Sequence, residues 1–437
     1  MNLPHDDSCS GWFHLLSEQR PFNELLHDQQ ADVVVVGAGF AGLSAARQLA
    51  LHLPDAKVVL IDAQRVGYGA SGRNSGFAID LPHKFALENP DQQFKQRLLR
   101  LNRSAITQLN HLIQQFDIEC QWSAVGKYQG AVGERGRQFL AHFAKLMDEL
   151  GEPYLWKTKE ELAEVLGTEH YSQAIFTPGG YLMQPAALVQ GLAKNLPSNV
   201  RLYENSAILS WSKETSDYIL QTAKATIKAP KVLFTTSIYT REFGFLKNRL
   251  LPITTFASIT RPLNVSEQKH YTGEYNWGLT PADHAGTTLR MTQDKRLVIR
   301  NTYRYTPKYG SSVSSYDRQL IAQEHRRSLQ QRYPFLAELP FAYTWGGTYA
   351  VSRNFTNFFG QLAPNMYAVA CDNGVGVVWG TIAGRLLADL ACQKSSELLE
   401  DIQSVTGMPS LNPPEPFAAW GAKTRIYLAA RTSQQEL

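Results

Sequence analysis

The apolar residues near the start of the chain follow the pattern of a strand, a tight turn, a helix and a second strand. The stretch Asp32–Val36 is dominated by valines, which is typical of a strand buried on both faces of a parallel sheet. Leu43–Leu51 has apolar residues at helical spacing, and Val58–Asp62 is a second apolar run that ends in an acid. The pattern predicts a βαβ unit.

A different pattern fills Ile253–Tyr343, where polar and apolar residues alternate as in half-buried antiparallel strands. It includes a predicted hairpin over Thr287–Arg300 and is interrupted by a predicted helix over Tyr316–Gln331. Near the C-terminus, Met366–Ala370 predicts a strand, and a glycine turn then leads into an apolar helix over Val377–Leu390. This last unit predicts a return of the chain to the first sheet.

Together these patterns predict an α/β fold, α+β overall. A Rossmann-type dinucleotide-binding domain with a parallel sheet is joined to a substrate domain built on an antiparallel sheet. We expect residues 1–80 to begin the dinucleotide domain and residues 344–437 to complete it. Residues 253–343 should form the antiparallel sheet. Residues 81–252 should supply helices, part of the substrate domain and a return to the dinucleotide domain.

Three further segments carry local predictions. Met1–Gln30 is expected to be an irregular arm with aromatic anchors such as Trp12. Leu87–Phe116 has apolar residues at helical spacing among many charges and predicts a pair of surface helices. Val200–Ser212 predicts a strand.

Composition narrows the functional classes. The chain has 437 residues, more than one core usually organises, and a net charge of only +4. Its dispersed lysines and arginines argue against nucleic acid as a partner. The apolar stretch Val33–Leu53 is interrupted by glycines and Arg47, so no integral membrane segment is expected. With no basic, apolar leader and four scattered cysteines, we expect a cytoplasmic protein.

Gly37, Gly39 and Gly42 lie at G-x-G-x-x-G spacing between the first predicted strand and helix. In such a turn the first glycine permits a tight bend, the second lets the backbone approach a pyrophosphate, and the third lets helix and strand pack closely. The helix N-terminus then offers N–H groups to the phosphates. Asp62 ends the next strand, where an acid accepts hydrogen bonds from a ribose hydroxyl. These features predict a dinucleotide site.

Other chemistry finds little support in the sequence. Gly67, Gly69 and Gly72 repeat the same spacing, but no predicted helix begins at Gly72, so we interpret this repeat as coincidence. The histidines do not fall at ligand spacing with acids or cysteines, and no metal is expected. A serine hydrolase is disfavoured because the sequence around Ser71 lacks nucleophile-elbow spacing.

Four motifs recur here in the order found in a known family. They are the first glycine turn, the loop Gly67–Gly76, the sequence Arg290–Arg296, and the C-terminal segment Gly374–Asp389. The chain resembles the D-amino-acid oxidase superfamily of FAD-dependent amine oxidoreductases, with most likeness to the γ-glutamylputrescine oxidase branch.

The resemblance implies FAD, and it implies the cofactor contacts. These are expected from Gly37, Gly39, Phe40, Ala41, Gly42, Asp62, Ala63, Ser71, Gly72, Arg73, Asn74, Ser75, Gly76, Ala207, Thr235, Thr236, Asn373, Gly374, Val375, Gly376 and Val377. In relatives, the loop matching Ser71 to Phe77 passes from the pyrophosphate to the isoalloxazine ring. The turn matching Asn373 to Val377 brings backbone N–H groups to the pyrimidine end of the flavin, where they would stabilise negative charge.

The chain departs from relatives where the hairpin strand reaches the flavin face, with Arg300, Asn301 and Thr302 at positions where small glycines are common. An arginine there could hold a substrate carboxylate with two hydrogen bonds, or it could project into solvent from the other face. Period-2 alternation predicts that Arg304 shares the face of Arg300. Tyr303 is a further candidate substrate contact, with core packing as the alternative.

Two more departures bear on the chemistry. Val375 replaces a histidine seen in several relatives, so this position cannot act as an acid or base. Cys371 lies near the place where sarcosine oxidases have a cysteine bonded to the flavin. We interpret Cys371 as a buried core thiol and predict noncovalent FAD.

The leading functional hypothesis is FAD-dependent oxidation of a C–N bond. The substrate would be an amino acid, an N-substituted amino acid or a polyamine derivative, with hydride passing to the flavin and the imine product hydrolysed by water. No catalytic residue is predicted, because positioning of the donor carbon and a neutral amine can suffice. The alternatives are oxidation of a C–O bond, as in a 2-hydroxy acid, and a flavin-binding electron-relay subunit. Either O₂ or another electron acceptor would complete the reaction.

Overall fold

The computed structural model describes residues 3–4, 9–19, 21–82, 90–307, 315–433 and 436–437. Its strands are β1 (Gln29–Gln30), β2 (Val33–Val36), β3 (Val58–Ile61), β4 (Phe77–Ala78), β5 (Lys127–Ala131), β6 (Leu155–Thr158), β7 (Gln173–Thr177), β8 (Tyr181–Leu182), β9 (Val200–Tyr203), β10 (Ser210–Glu214), β11 (Asp217–Gln221), β12 (Thr226–Ala229), β13 (Val232–Phe234), β14 (Leu250–Thr260), β15 (Trp277–Pro281), β16 (Thr288–Met291), β17 (Leu297–Tyr305), β18 (Phe341–Ser352), β19 (Phe358–Ala363) and β20 (Met366–Ala370). Its α-helices are α1 (Gly11–His14), α2 (Phe40–His52), α3 (Gln92–Gln115), α4 (Glu134–Leu150), α5 (Lys159–Leu166), α6 (Pro185–Lys194), α7 (Val265–His270), α8 (Ser315–Arg332), α9 (Gly376–Ala391), α10 (Glu397–Val405) and α11 (Phe417–Thr432). Short 3-10 segments lie at Ala70–Gly72, Ser237–Phe243 and Pro334–Leu336.

A six-stranded sheet in the order β19-β20-β13-β2-β3-β9 carries the predicted βαβ unit. Its strands pair in parallel except for β19, which pairs antiparallel with β20 at the edge. Every residue of β2 and β3 is buried, because helices cover one face and a second apolar cluster covers the other. The β2-α2-β3 prediction is confirmed, as is the return of β20 and α9 to this sheet.

The second large sheet has eight strands in the order β18-β14-β17-β16-β15-β5-β7-β6. Its pairs are antiparallel except for β15 with β5, and β16 and β17 form the predicted hairpin. One face packs on α8 and the Pro334–Leu336 segment through Leu297, Ile299 and Tyr333. The α/β fold class is confirmed, with a large sheet that is mainly parallel and a second large sheet that is mainly antiparallel.

The chain moves between the two sheets several times. The eight-stranded sheet takes β5, β6 and β7 from the middle of the chain, and β14 to β18 from later residues. Strand β18 continues through the predicted boundary at 343/344. The four-segment division of the chain stays a prediction.

Three local predictions are corrected. Val200–Ser212 is not one strand, because β9 joins the parallel sheet and β10 joins a small sheet ordered β1-β12-β11-β10. Buried Glu204 separates them, its carboxylate accepting the N–H groups of Phe22 and Val66. The predicted pair of helices is one helix, α3, over the residues described from 90 onward; residues 87–89 lie outside the described residues. The N-terminal arm contains the buried helix α1.

Candidate cofactor and substrate site

The turn between β2 and α2 accepts only glycine at two positions. Gly37 has a φ of +102°, in the left-handed region that favours glycine, and a Cβ added there would lie 2.9 Å from the carbonyl oxygen of Thr235. A Cβ on Gly42 would lie 1.7 Å from the carbonyl oxygen of Gly37, so α2 could not pack on its own turn. Gly39 is extended, with φ −80° and ψ −172°, and forms the N-cap of α2. The geometry agrees with the roles that the spacing predicts for these glycines.

Asp62 follows β3 directly and reaches across to the turn. Its Oδ2 accepts the N–H of Ala38 at 2.6 Å, and its Oδ1 accepts the N–H of Gln64 at 2.9 Å. Burial raises the pKa of the Asp62 carboxyl above its ordinary value. Each oxygen keeps a second acceptor site, so the acid can support the turn and still bind a hydroxyl.

A cavity of about 190 Å³ lies at the carboxyl ends of these parallel strands, and we call it the turn cavity. The predicted cofactor residues that line it are Gly37, Gly39, Phe40, Ala41, Asp62, Ala63, Ser71, Thr235, Thr236 and Gly376. Ser206 and Ile208 also line it, whereas Ala207 between them does not. Gly42, Gly72 and Gly76 do not line the cavity. Their lack of a side chain lets neighbouring atoms pack closely against them.

The second glycine run reproduces the conformation of the first. Gly67 has a φ of +88°, Gly69 is extended with φ −76° and ψ −171°, and a Cβ on Gly72 would lie 2.1 Å from the carbonyl oxygen of Gly67. A short 3-10 turn over Ala70–Gly72 follows instead of an α-helix. The two turns meet, because the N–H of Phe40 donates to Ser71 Oγ at 3.1 Å. The repeated spacing therefore has a structural meaning that the sequence interpretation missed.

Side chains that are distant in sequence donate hydrogen bonds to the backbone carbonyl groups of the loop Gly72–Gly76. Ser10 Oγ donates to the Gly72 carbonyl at 2.7 Å, Trp345 Nε1 to Arg73 at 3.0 Å, and Trp12 Nε1 to Asn74 at 2.9 Å. Arg290 Nη1 donates to the Gly76 carbonyl at 3.2 Å and, more weakly, to Ser75 at 3.4 Å. We call Ser10, Trp12, Arg290 and Trp345 the loop clamp. Arg290 is fully buried, and burial lowers its pKa to about 9.

The loop clamp leads to a prediction for Trp12→Phe. Phenylalanine keeps an aromatic ring but removes the N–H donor, and leaving a buried carbonyl unpaired costs about 1–3 kcal/mol. We expect FAD affinity to fall by about tenfold, measured by titrating the flavin-free protein with FAD. Trp420→Phe, at a 65% exposed tryptophan of α11, is the control. Equal FAD affinities for the two variants would show that the donor does not position the loop.

A second cavity of about 300 Å³ continues from the first and is called the ring cavity. The two share Phe40, Ala70, Ser71, Asp372 and Gly376 in their linings. The predicted cofactor residues Arg73, Asn74 and Ser75 line it from the loop, and Asn373, Gly374, Val375, Gly376 and Val377 line it from the turn before α9. Two joined cavities beside two glycine turns suit an elongated ligand with phosphates at its centre.

Three residues of the turn before α9 have φ values in the left-handed region. Cys371, Asn373 and Gly374 have φ values of +68°, +50° and +90°. The N–H of Gly374 donates to Asp372 Oδ1 at 3.0 Å, and α9 begins at Gly376. The positive end of the α9 dipole therefore meets the ring cavity, where it favours negative charge on a bound group.

Cys371 is 1% exposed, and its Sγ lies 3.4 Å from Asn373 Oδ1. Burial raises the pKa of this thiol to about 12, so the reactive thiolate is disfavoured. We predict that the cofactor is bound without a covalent link. Acid precipitation should leave the yellow colour in the supernatant, whereas flavin mass on a peptide that contains Cys371 would contradict the prediction.

Arg300 lies in the wall of the ring cavity. Its Nη2 donates to Thr288 Oγ1 at 2.6 Å, its Nη1 donates to the Tyr303 hydroxyl, and its guanidinium carbon lies 5.2 Å from the centre of the Tyr303 ring. Among the residues that the structure describes, Arg300 forms no ion pair. The cavity wall thus carries a cation held by neutral hydroxyl groups.

The prediction that Arg304 shares the face of Arg300 is wrong, because a β-bulge interrupts the alternation. Ala257 of β14 pairs with Arg300 and Phe256 pairs with Thr302, so Asn301 is an extra residue. After the bulge, Tyr303 lies on the ring-cavity side with Arg300. Arg304 turns toward α8 and pairs with Asp317 at 2.9 Å. Asn301, predicted as a substrate contact, is buried and donates to Thr287 Oγ1 at 3.2 Å.

Asp372 and Tyr349 are among the lining residues of the ring cavity that the sequence interpretation missed. Burial raises the pKa of Asp372 from 3.8 to about 6, and burial also raises the pKa of Tyr349. In the sequence, Asp372 is simply part of the glycine turn that precedes the last predicted apolar helix. Tyr349 lies in β18 and belongs to no recognised motif. A carboxyl group directly before a glycine turn and helix was the one available signal for Asp372.

The glycine turns, the buried acid at the end of β3 and the two joined cavities define a dinucleotide-binding protein with a second, mainly antiparallel sheet. The residues fit FAD, because the glycine turn and the N-terminus of α2 border the turn cavity, where a pyrophosphate would be held, and the ring cavity joined to it offers space for a ring system. The chain belongs to the DAO family of FAD dependent oxidoreductases, whose model matches residues 32–390. It is therefore an FAD-dependent oxidoreductase.

Relatives cover most of the chain at low identity. A probable oxidoreductase, OrdL, from Rhizobium meliloti (strain 1021) is 27% identical over 397 residues, 89% of each chain. A gamma-glutamylputrescine oxidoreductase from Escherichia coli (strain K12) is 25% identical over 380 residues, 85% of each chain. Glycine oxidase from Geobacillus kaustophilus has a TM-score of 0.72 at 18% identity, over 84% of this chain and 96% of its own, a likeness that shows the fold.

No group of three or more histidine, cysteine, aspartate or glutamate side chains in the described part of the chain is placed to hold a metal ion. None of the described helices is both long enough and apolar enough to cross a membrane.

Proposed function

We propose that the enzyme oxidises a C–N bond of an amino acid, an N-substituted amino acid or a polyamine derivative. The observation that carries the proposal is Arg300, a cation in the wall of the ring cavity that forms no ion pair with the described residues. A guanidinium in such a place is complemented by a carboxylate, with which it can form two parallel hydrogen bonds. The names of two similar proteins, gamma-glutamylputrescine oxidoreductase and glycine oxidase, support this substrate class.

When bound, FAD supplies the two-electron acceptor for a hydride from the substrate carbon. The substrate nitrogen loses a proton, and water hydrolyses the resulting imine to a carbonyl compound and an amine. The contribution of the chain is to place that carbon. Arg300 would fix the carboxylate, while Tyr303 and Tyr349 form apolar walls that limit water around the reacting atoms.

The ring cavity offers groups of both charges. Its described lining contains two arginines, Arg73, whose guanidinium donates to the backbone carbonyls of Tyr68 and Gly346, and Arg300, together with the carboxyl group of Asp372. A zwitterionic amino acid complements Arg300 and Asp372. Asp372 also lines the turn cavity, so it stands at the junction of the two cavities. Its ionised form would attract a substrate ammonium group, and the amine must lose a proton before oxidation.

The raised pKa of Asp372 predicts a pH dependence of stability. Because the folded protein holds this proton more tightly than the unfolded chain does, the free energy of unfolding should fall as pH rises from about 4 to about 6. Asp372→Asn should lessen this fall. Thermal midpoints of the flavin-free wild type and variant, compared across this pH range, provide the measurement. Parallel pH profiles for the two proteins would contradict the assignment.

Anaerobic bleaching of the flavin colour tests the proposed function. Glycine, N-methylglycine, proline and putrescine represent the proposed substrates, and lactate represents 2-hydroxy acids. Bleaching by an amine or amino acid supports the proposal. Bleaching by lactate alone would establish C–O oxidation, and no bleaching by any of them would favour an electron-relay subunit.

A further inference from the structure

A large chamber adjoins the ring cavity on the side of the C-terminal helix. Its volume is about 1150 Å³, and β17, β18, α8 and α11 surround it. We call it the outer chamber. Ligand sites in proteins commonly measure about 300–1,000 Å³, so the chamber is large enough for a ligand bigger than a free amino acid.

The outer chamber and the ring cavity share three lining residues, His284, Tyr303 and Tyr349. The Tyr303 hydroxyl donates to the backbone carbonyl of His284 at 3.4 Å and accepts from Arg300. Arg300 and Tyr303 therefore stand at the partition between the two spaces. A ligand held by Arg300 has the outer chamber directly beyond Tyr303.

The outer chamber is electropositive at its rim. Arg327, Arg353 and Arg425 line it, and none of the three forms an ion pair within the described part of the chain. Arg304 also lines it but is already paired with Asp317. Among the described lining residues, Glu324 supplies the acidic side chain, which accepts from Thr302 Oγ1 at 3.1 Å.

Between these arginines the walls of the outer chamber are mainly apolar, and helix α11 forms one of these walls. Its chamber-facing residues include Ala418, Ala422, Ile426 and Ala429, and Ala418, at 9% exposed, is the most buried of these four. Because the alanine side chains are small, they leave open space between the inner face of α11 and the strands β17 and β18. An alkyl chain could lie along this face with a charged end at the arginine rim.

We propose that the outer chamber binds the far end of an elongated substrate, an alkyl chain that ends in a carboxylate. This inference rests on the proposed function, because it assumes that the reacting amine lies in the ring cavity. The substrate class is a secondary-amine amino acid whose nitrogen carries a carboxyalkyl chain. One carboxylate would meet Arg300, and the other would meet Arg327, Arg353 and Arg425 at the rim.

The kinetic test compares two matched series. N-(ω-carboxyalkyl)glycines of increasing chain length are compared with N-alkylglycines of the same length, which lack the terminal carboxylate. We expect kcat/KM for the longer diacids to exceed that of their matched N-alkylglycines by about tenfold. The double variant Arg327→Ala/Arg353→Ala should remove this advantage, and Ala422→Trp should fill the chamber with the same result. Arg431→Ala, an exposed α11 position outside the lining, is the control.

A binding measurement separates this inference from the proposed function. Calorimetry with pimelate and with heptanoate compares two acids of the same length without turnover. Tighter binding of pimelate that both chamber variants abolish supports the outer site, even if no amine bleaches the flavin. Equal binding of the two acids, together with equal kcat/KM in the two series, would overturn the outer site while leaving amine oxidation intact.

Discussion

Gly39→Val is expected to yield a folded protein that contains no FAD. Gly39 has an extended backbone that any L-residue adopts, so the substitution imposes no strain on the main chain. Its Cβ would lie 2.7 Å from Ser71 Oγ, at the point where the two glycine turns meet, and a rotatable hydroxyl can move away. The branched side chain would then occupy the space in which the backbone must approach the pyrophosphate.

The measurement is the ratio of flavin to protein absorbance after purification, with circular dichroism as the check on folding. Gly407→Val is the matched control, since Gly407 lines none of the three described cavities and a Cβ there would make an ordinary contact with Thr356 at 3.5 Å. A folded Gly39→Val protein with full flavin content would remove the first turn from the cofactor site.

Arg300→Ala is expected to lower kcat/KM for a carboxylate substrate by about 10–100-fold, because a charge-assisted pair contributes about 1.5–3 kcal/mol. The loss should fall mainly on KM, with FAD content unchanged. It should also reduce the preference for an amino acid over the amine without its carboxylate, because the lost contact is the one that discriminates between them.

The strand itself provides the control for this experiment. Arg304→Ala removes an arginine four residues away that faces α8 and pairs with Asp317, so the preference of the ring cavity should persist. Arg300→Lys keeps the charge but cannot form the two-pronged contact, and an intermediate KM is expected. Unchanged KM and preference in Arg300→Ala would make Arg300 structural, and a polyamine would then be as good a candidate substrate as an amino acid.

The sequence predicted those parts of the fold that depend on local patterns. The valines of β2, the glycine spacing before α2 and the acid after β3 are adjacent in sequence and in space, and all were predicted. Helix α8 was predicted from Tyr316 to Gln331 and spans Ser315–Arg332. Periodicity suffices in these cases, because burial of one face or of a whole strand determines the side-chain pattern.

The site residues that were missed depend on partners far along the chain. Nothing within β17 marks the bulge at Asn301, because the extra residue exists only relative to β14. The prediction did not include this extra residue, so it assigned Arg304 to the wrong face of the strand. A shift of one residue in register always exchanges the two faces of a strand. The pKa of Asp372 is likewise set by burial among elements that its own sequence does not reveal.

The loop clamp also determines when, during synthesis, the cofactor site can exist. Two of its donors come from residues 62 positions before the carbonyls that they hold, one comes from 214 positions after, and one from 272 positions after. The centre of the parallel sheet adds to this, since β13 pairs with both β2 and β20. Contacts of such sequence separation form late, because the entropy of closing long loops must be overcome first. A nascent chain that has emerged only as far as β17 therefore carries both glycine turns and three of the four clamp donors, but it still lacks Trp345 of β18 and the strand β20 that pairs with β13.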